Sequence, residues 1–240
     1  MRKITLEFER DFENQKAKGG DARKSQLKFY WATSIPIKRH KFYTLQKIKN
    51  KKILEIGCSS GKDAVSYTKY SSFYCGIDIS DEAIKNANNL KLKKSEFLCV
   101  DGHKIPKEDN EFDCVIVNGL LHHLDLLKSF QEINRVLKSG GYLIFREPLG
   151  TNPFFQFYRY LTPRSRTPDE RPFTLDDIKL MQKYFHLQKV EWFGFFSIFS
   201  AFLQINLFRK ILTFLDYCLS KTFFKIFFWQ FCGIAIKKKI

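Results

Sequence analysis

The sequence has no C-x-x-C pair, no repeat or low-complexity tract, no G-x-G-x-x-G and no uncharged run longer than 17 residues. Each absence excludes something. The six cysteines, lacking paired or metal-ligand spacing, point to neither a zinc module nor a dithiol centre, and no metal is expected. Cys58, Cys75, Cys99 and Cys114 fall in or beside apolar runs, where a free thiol behaves as a small hydrophobe. Reduced cysteines suit a cytoplasmic setting. The first residues, M-R-K-I-T-L-E-F-E-R-D, are too charged for a secretory h-region, so no signal peptide is expected. The uncharged run, Trp192 to Phe208, is at the lower limit for a membrane span and contains Gln204 and Asn206. Acids are also scarce, 25 against 41 Lys and Arg, for a net charge of +16. Such an excess suits nucleic acid, an anionic membrane surface or a phosphorylated substrate. Composition alone favours a lysine-rich solvated surface.

With 44% apolar residues the chain can bury a real core. The stretch that organises it is Lys52 to Ala64, K-I-L-E-I-G-C-S-S-G-K-D-A. An apolar run containing Ile53, Leu54 and Ile56 meets Gly57 and Gly61, then residues able to start a helix. That is a buried parallel strand turning tightly into a helix. The glycines supply backbone freedom and let a ligand approach the main chain. The helix start offers free N–H groups to that ligand.

Residues 4–50 read as helices, with Glu7, Phe8, Asp11 and Phe12 opening the first. Gly19-Gly20 interrupts, Asp21 can cap the next, and Ile35-Pro36 breaks it. This preface reads as packing in preference to a lid carrying Tyr30 and Trp31 over the site. From Ser72 the chain alternates. Strands are expected at Ser72 to Ile79, Glu96 to Val100, Phe112 to Val117 and Tyr142 to Arg146, with later ones at Leu187 to Trp192 and Trp229 to Lys237. Ser80 caps one helix, another runs from about Asp125 to Lys138 and stops at Gly140-Gly141, and Thr174 to Asp177 is a capping box. The expected fold is α/β: a Rossmann-like doubly wound sheet, mostly parallel with an antiparallel seventh strand, plus N-terminal helices and a helical insertion before the last strand. Its units are a helical cap over 1–50, a ligand-binding core over 51–150, and an acceptor-side segment over 151–240 holding a loop, an aromatic lid and the last two strands.

Two ligand chemistries compete for the opening turn. A dinucleotide wants G-x-G-x-x-G. Here Gly57 and Gly61 are separated by three residues, and Glu55 would repel a pyrophosphate while suiting a cofactor that carries an ammonium and a sulfonium. Asp78, at the next strand end, is placed to grip ribose hydroxyls, and Asp101, at the third, to accept from an exocyclic amine.

From Ile53 to Pro148 the chain resembles the class I S-adenosylmethionine-dependent methyltransferases. The carriers are I-L-E-I-G-C-S-S-G, G-I-D-I-S, V-D-G, F-D-C-V-I-V-N-G-L-L-H-H-L and L-K-S-G-G-Y-L-I-F-R-E-P. The resemblance implies S-adenosyl-L-methionine as cofactor. It implies that Gly57 and Gly61, with Cys58 and Ser59 between them, line the methionine moiety, and that Glu55 orients the loop and the amino group. Asp78, followed by Ile79, would bind the ribose, Asp101 and Gly102 would face the adenine, and Asn118 with Gly119 would border the methyl-transfer face. Ser59 departs from the glycine many relatives carry; if φ is positive there, a serine costs on the order of 1–2 kcal/mol or shifts the loop.

Methyl transfer from a sulfonium is an in-line displacement that needs alignment and exclusion of water; oxygen acceptors also need a base. His123 is the preferred base, then His122 and Glu147, although one histidine is as well explained by capping the next helix. Arg159, Arg164, Arg166 and Arg171 would border the acceptor, suiting phosphate or carboxylate, or pair with acids such as Asp169 and Glu170. In the tail, Phe208, Ile211, Leu212, Leu215 and Leu219 share a helical face opposite Lys210, Thr213, Asp216 and Lys221. That face would cover the cleft as a lid or lie on an anionic membrane surface. The expected function is therefore methylation of a small-molecule, hydrophobic or lipid-linked acceptor, in the cytoplasm or at the inner membrane face. The alternatives are an RNA methyltransferase and a cofactor-binding partner protein without catalysis. Against RNA, the fourth strand ends in N-G-L-L, not N/D-P-P-Y/F, and no RNA-binding module is recognisable.

Overall fold

A computed structural model describes residues 6–19, 31–32, 34–161 and 171–238. Within them, seven strands form one sheet: β1 (Lys52–Ile56), β2 (Phe73–Asp78), β3 (Ser95–Cys99), β4 (Phe112–Asn118), β5 (Leu137–Pro148), β6 (Phe185–Phe193) and β7 (Gln230–Lys237). The spatial order is β3-β2-β1-β4-β5-β7-β6. β1 to β5 pair in parallel, and β7 runs antiparallel to both β5 and β6. This is the mostly parallel, Rossmann-like sheet expected, with the seventh strand reversed.

Apolar side chains on successive strand positions point to opposite faces, so the sheet divides the core in two. Leu54, Ile77, Val115 and Phe145 pack on one side with Phe130 and Ile133. Ile53, Tyr74, Cys114 and Ile144 pack on the other with Tyr43, Ile48 and Tyr67. Cys58, Cys75, Cys114 and Cys232 are buried, but Cys99, on edge strand β3, is exposed and not part of the core.

The helices are α1 (Leu6–Ala17), α2 (Ser34–Lys47), α3 (Ala64–Tyr67), α4 (Asp81–Asn88), α5 (Leu126–Val136), α6 (Pro153–Leu161), α7 (Leu175–Tyr184) and α8 (Asn206–Leu219). Local sequence explains their starts. The Ser80 hydroxyl accepts from Ala83 N–H at 3.0 Å, and Asp125 accepts from Lys128 N–H at 3.3 Å. Thr174 and Asp177 form a reciprocal capping box.

Several boundaries differ from the sequence reading. The helix after the opening turn, α3, is only four residues long. α5 ends at Val136, because the chain enters β5 at Leu137 and passes Gly140-Gly141 inside that strand, where Gly140 takes φ +71° beside a register shift. The segment 20–30, including Asp21 and Tyr30, lies outside the described residues, as do Arg164, Arg166, Asp169 and Glu170.

The two chain excursions at 149–161 and 194–229 share one end of the sheet. β5 and β6 run parallel to β1 and deliver them at their carboxyl ends, while antiparallel β7 receives the second at its start. That is also the end where a doubly wound sheet presents its ligand site.

Candidate active site

The carboxyl ends of β1, β2, β3 and β4 open into a cleft of about 330 Å³. Glu55, Gly57, Cys58, Ser59, Asp78, Ile79, Asp101, Gly102, Asn118, Gly119 and His123 all line it. Gly61, His122 and Glu147 do not; they stand behind its wall.

The turn after β1 winds through three left-handed residues, Gly57 (φ +77°), Ser59 (φ +46°) and Gly61 (φ +74°). Glycine at 57 and 61 is required by φ and by packing. A Cβ at Gly57 would stand 2.9 Å from Leu120 Cδ2, and one at Gly61 2.9 Å from Leu90 Cδ1. At Gly61 the close neighbour is the protein, which refines the expectation of a ligand approaching there. Ser59 tolerates its strained φ because its N–H donates to Asp78 Oδ2 at 2.8 Å. Asp78 Oδ1 accepts from Ser80 N–H at 3.0 Å, so one carboxylate ties the β1 turn to the start of α4.

Each acid has a distinct setting. Glu55 is buried, with its Oε2 accepting from the Tyr74 hydroxyl at 2.5 Å. Burial raises its pKa from 4.5 to about 8, against the opposing effect of that hydrogen bond. Burial also raises Asp78, against its two backbone donors. Burial would raise Asp101 as well, but hydrogen bonds from His103 outweigh it and hold Asp101 below the usual carboxylate range. The His103 ring explains the pairing. Its Nε2 accepts from Asp125 N–H at 2.9 Å, which leaves Nδ1 as the donor to Asp101 Oδ1 at 2.6 Å.

Residues 118–123, after β4, are held from below. Glu147, fully buried, accepts from Leu120 and Leu121 N–H through Oε1 at 3.1 and 2.9 Å, and its Oε2 lies 2.7 Å from His122 Nδ1. Asn118 Oδ1 accepts from Arg146 Nε at 2.6 Å, and Arg146 also donates to Gln230 Oε1 at 2.9 Å. His123, whose ring lies 4.1 Å from that of His122, faces the cleft with Nδ1 3.1 Å from Glu9 Oε1. Neither histidine caps α5; Asp125 does.

Glu9 comes from the N-terminal preface. Leu6, Glu9, Glu13 and Lys16 of α1 line the cleft. Asn14 fixes the helix there, accepting from the Ser80 hydroxyl at 2.6 Å and donating to Asp81 at 2.8 Å. The lid is α1. Trp31 instead lies under the Arg209 guanidinium, 4.1 Å from its ring centre, with its carbonyl accepting from Arg209. The helix opening was legible from Glu7, Phe8, Asp11 and Phe12, but Glu9, Glu13 and Asn14 carried no local signal of their place at the cleft. His103, two residues after Asp101, was legible as its partner. Arg146 and Gln230 carried none, since their meeting depends on β5 pairing with β7.

Of the arginines expected at the acceptor, Arg171 is committed to Asp177 by two bonds of 2.7 and 2.8 Å. Arg159 lies in α6 with its guanidinium 5.7 Å from the Phe155 ring centre. The tail helix is rotated relative to expectation: Phe208, Leu212 and Leu219 turn inward as expected, but Ile211 and Leu215 do not. Asp216, assigned to the outer polar face, is buried, and Leu207, Ile211, Phe214 and Leu215 are exposed.

The arrangement suits an adenosyl amino acid. A buried carboxyl at Glu55 beside a left-handed turn can take an ammonium, and Asp78 and Asp101 stand at the two neighbouring strand ends.

A family model described as a methyltransferase domain matches residues 54–145. A phthiotriol/phenolphthiotriol dimycocerosates methyltransferase of Mycobacterium ulcerans is 26% identical over 156 residues, 63% of this chain and 58% of the relative. A demethylmenaquinone methyltransferase of Staphylococcus saprophyticus is 29% identical over 129 residues, 47% of this chain and 53% of the relative. The crystal structure of a geranyl diphosphate C-methyltransferase from Streptomyces coelicolor superposes with a TM-score of 0.62 at 12% identity, over 82% of this chain and 76% of that one; the likeness is one of fold. The chain spans about half the length of the curated relatives it matches.

Proposed function

We propose, from the premise that this chain carries a class I S-adenosylmethionine-dependent methyltransferase domain, that it methylates a hydrophobic small-molecule or lipid-linked acceptor. The observation that carries the cofactor half of this reading is the row Glu55, Asp78 and Asp101, at or just past three adjacent strand ends around one cleft. The acceptor half is supported by the two apolar excursions at the same end of the sheet, and by relatives named for dimycocerosate and demethylmenaquinone acceptors.

S-adenosylmethionine, when bound, supplies an electrophilic methyl on a sulfonium. Glu55 would hold the amino group, whose positive charge favours the ionised carboxylate against the burial that raises its pKa, with Tyr74 fixing its rotamer. Asp78 would accept from the ribose hydroxyls with its remaining lone pairs while holding Ser59. Asp101, oriented by His103, would accept from the adenine amine, with Gly102 beside it. Asn118, held by Arg146, and Gly119 border the reacting face. His123 is the base for an oxygen acceptor, since it is the histidine on the cleft and Glu9 stabilises the proton it gains. His122 and Glu147 position the loop that carries it. α1 closes the cleft against water.

The test is incubation with methyl-labelled S-adenosylmethionine and a fractionated cell extract. Label is expected in the lipid-soluble fraction, at a level that Asp78→Ala lowers at least tenfold. Label confined to RNA would overturn the acceptor half, and failure of calorimetry to detect S-adenosylhomocysteine binding would overturn the cofactor half.

A further inference from the structure

α8 turns Phe208, Leu212 and Leu219 toward the protein, yet it leaves a second apolar stripe, Leu207, Ile211, Phe214 and Leu215, exposed. Residues 208, 209, 212, 213, 216 and 219 face the protein, while Leu207 is 68% and Phe214 63% exposed. The cause is Asp216. Its Oδ1 accepts from Phe196 N–H at 2.6 Å, and its Oδ2 from Gly194 N–H at 3.0 Å, Ser197 N–H at 3.3 Å and the Ser197 hydroxyl at 2.6 Å. A buried carboxylate with four donors cannot turn to solvent without leaving them unsatisfied. Burying it forces the apolar stripe into the open.

That stripe is not isolated. Phe202 (69% exposed) precedes α8 and Phe223 (71%) follows it. α6 adds Phe157 and Tyr160, and its base is fastened to the same excursion. Asn152 donates to the Phe227 carbonyl, and the Phe155 ring lies 4.8 Å from that of Trp229. A patch of this kind on a folded chain marks a binding surface.

Charge identifies the occupant. Between Phe193 and Phe228 the sole acid is Asp216, which is buried, whereas Lys210, Lys221 and Lys225 are exposed. Large aromatic and aliphatic side chains fringed by lysines, with no exposed carboxylate, match an anionic bilayer surface. Among the described residues no helix is long and apolar enough to cross a membrane, so the fit is to lying on the bilayer. The patch is at the cleft end of the sheet, where both excursions emerge.

We infer that the surface formed by α8 and its flanks docks the protein on an anionic membrane, with Leu207, Ile211 and Phe214 in the acyl boundary and the lysines at the headgroups. The inference deepens the reading of a hydrophobic acceptor and rests on it in one respect: the acceptor is then taken from the bilayer, without passing through water.

The test is sedimentation of the full chain with vesicles of phosphatidylcholine alone or with phosphatidylglycerol, using wild type, Leu207→Glu/Phe214→Glu and Lys210→Glu/Lys221→Glu/Lys225→Glu. Wild type is expected to partition onto anionic vesicles at least about tenfold better than onto neutral ones. Each variant is expected to lose at least about tenfold while binding S-adenosylhomocysteine as wild type does. Equal partition onto both vesicles, or variants that bind as wild type, would overturn the inference. So would a dimer, seen without vesicles, that the apolar variant dissociates, since the face would then belong to a second copy. Loss of cofactor binding with vesicle binding intact would instead sink the methyltransferase reading and leave the docking surface standing.

Discussion

Glu147 holds His122 at 2.7 Å with one carboxylate oxygen and the backbone of Leu120 and Leu121 with the other. Three donors converge on one fully buried acid, so the loop between β4 and α5 has its shape set from β5. Removing that acid strands all three. Glu147→Ala is expected to destabilise the fold by about 3 kcal/mol or more in urea unfolding. Glu147→Gln, which retains shape and an acceptor, should lose less. If loop placement is the role, S-adenosylhomocysteine affinity should change less in the Gln variant than methyl transfer does.

Glu55 gives a pH dependence whose sign follows from its environment. Its carboxyl is raised from 4.5 to about 8 in the fold. The folded chain therefore binds a proton that the unfolded chain releases between those values. The associated stability is present below about pH 4.5 and is lost as pH rises toward 8, by a few kcal/mol. Glu55→Gln should flatten that slope in denaturation curves run from pH 5 to 8.5. A slope unchanged by the substitution would assign it to another group.

Asp78 joins two jobs, the ribose and the turn. Asp78→Ala is expected to weaken S-adenosylhomocysteine binding about 100-fold by calorimetry, corresponding to roughly two charge-assisted hydrogen bonds. It should also free Ser59, whose φ of +46° depends on the Asp78 bond.

Ser59 supplies the complementary test. Ser59→Gly should relieve the left-handed strain and stabilise the chain by about 1 kcal/mol, raising Tm by about 2–4 °C. A fall in Tm would mean that the serine side chain makes a compensating contact.

Asp216 anchors the tail. Burial raises its pKa, against its four donors. Asp216→Ala should cost about 3 kcal/mol and open the segment from Gly194 to Trp229 to limited proteolysis, with the cleft and its cofactor affinity unchanged.

The elements that sequence made legible are those set by local patterns. Alternating apolar runs located the strands, side-chain oxygens at Ser80, Asp125 and Thr174 located helix starts, and the acids at or just past the ends of β1, β2 and β3 located the cleft. What escaped depended on long-range contact. α1 reads as an ordinary amphipathic start, and nothing local says that Asn14 clamps onto Ser80 and carries Glu9 to His123. The orientation of α8 escaped for the opposite reason. Helical periodicity placed Phe208, Leu212 and Leu219 on the face that does turn inward, but one carboxylate with four donors brings Asp216 and Thr213 in with them and leaves Ile211 and Leu215 exposed. Gly140-Gly141 misled because a glycine pair that ends helices also fits a strand irregularity.

The position of β7 bears on how the chain is made. β6 pairs with β7 alone, and β7 fills the place between β5 and β6. While residues 230–237 are still inside the ribosome, β6 has no partner and β5 keeps an open edge. The parallel half, β1 to β5, can assemble around its own core during synthesis, but the aromatic excursion before β7 must wait with its phenylalanines uncovered. A nascent chain stalled after Phe228 would therefore display apolar surface that the finished protein encloses on the sheet side, and should be a strong client for chaperones until the last strand is inserted.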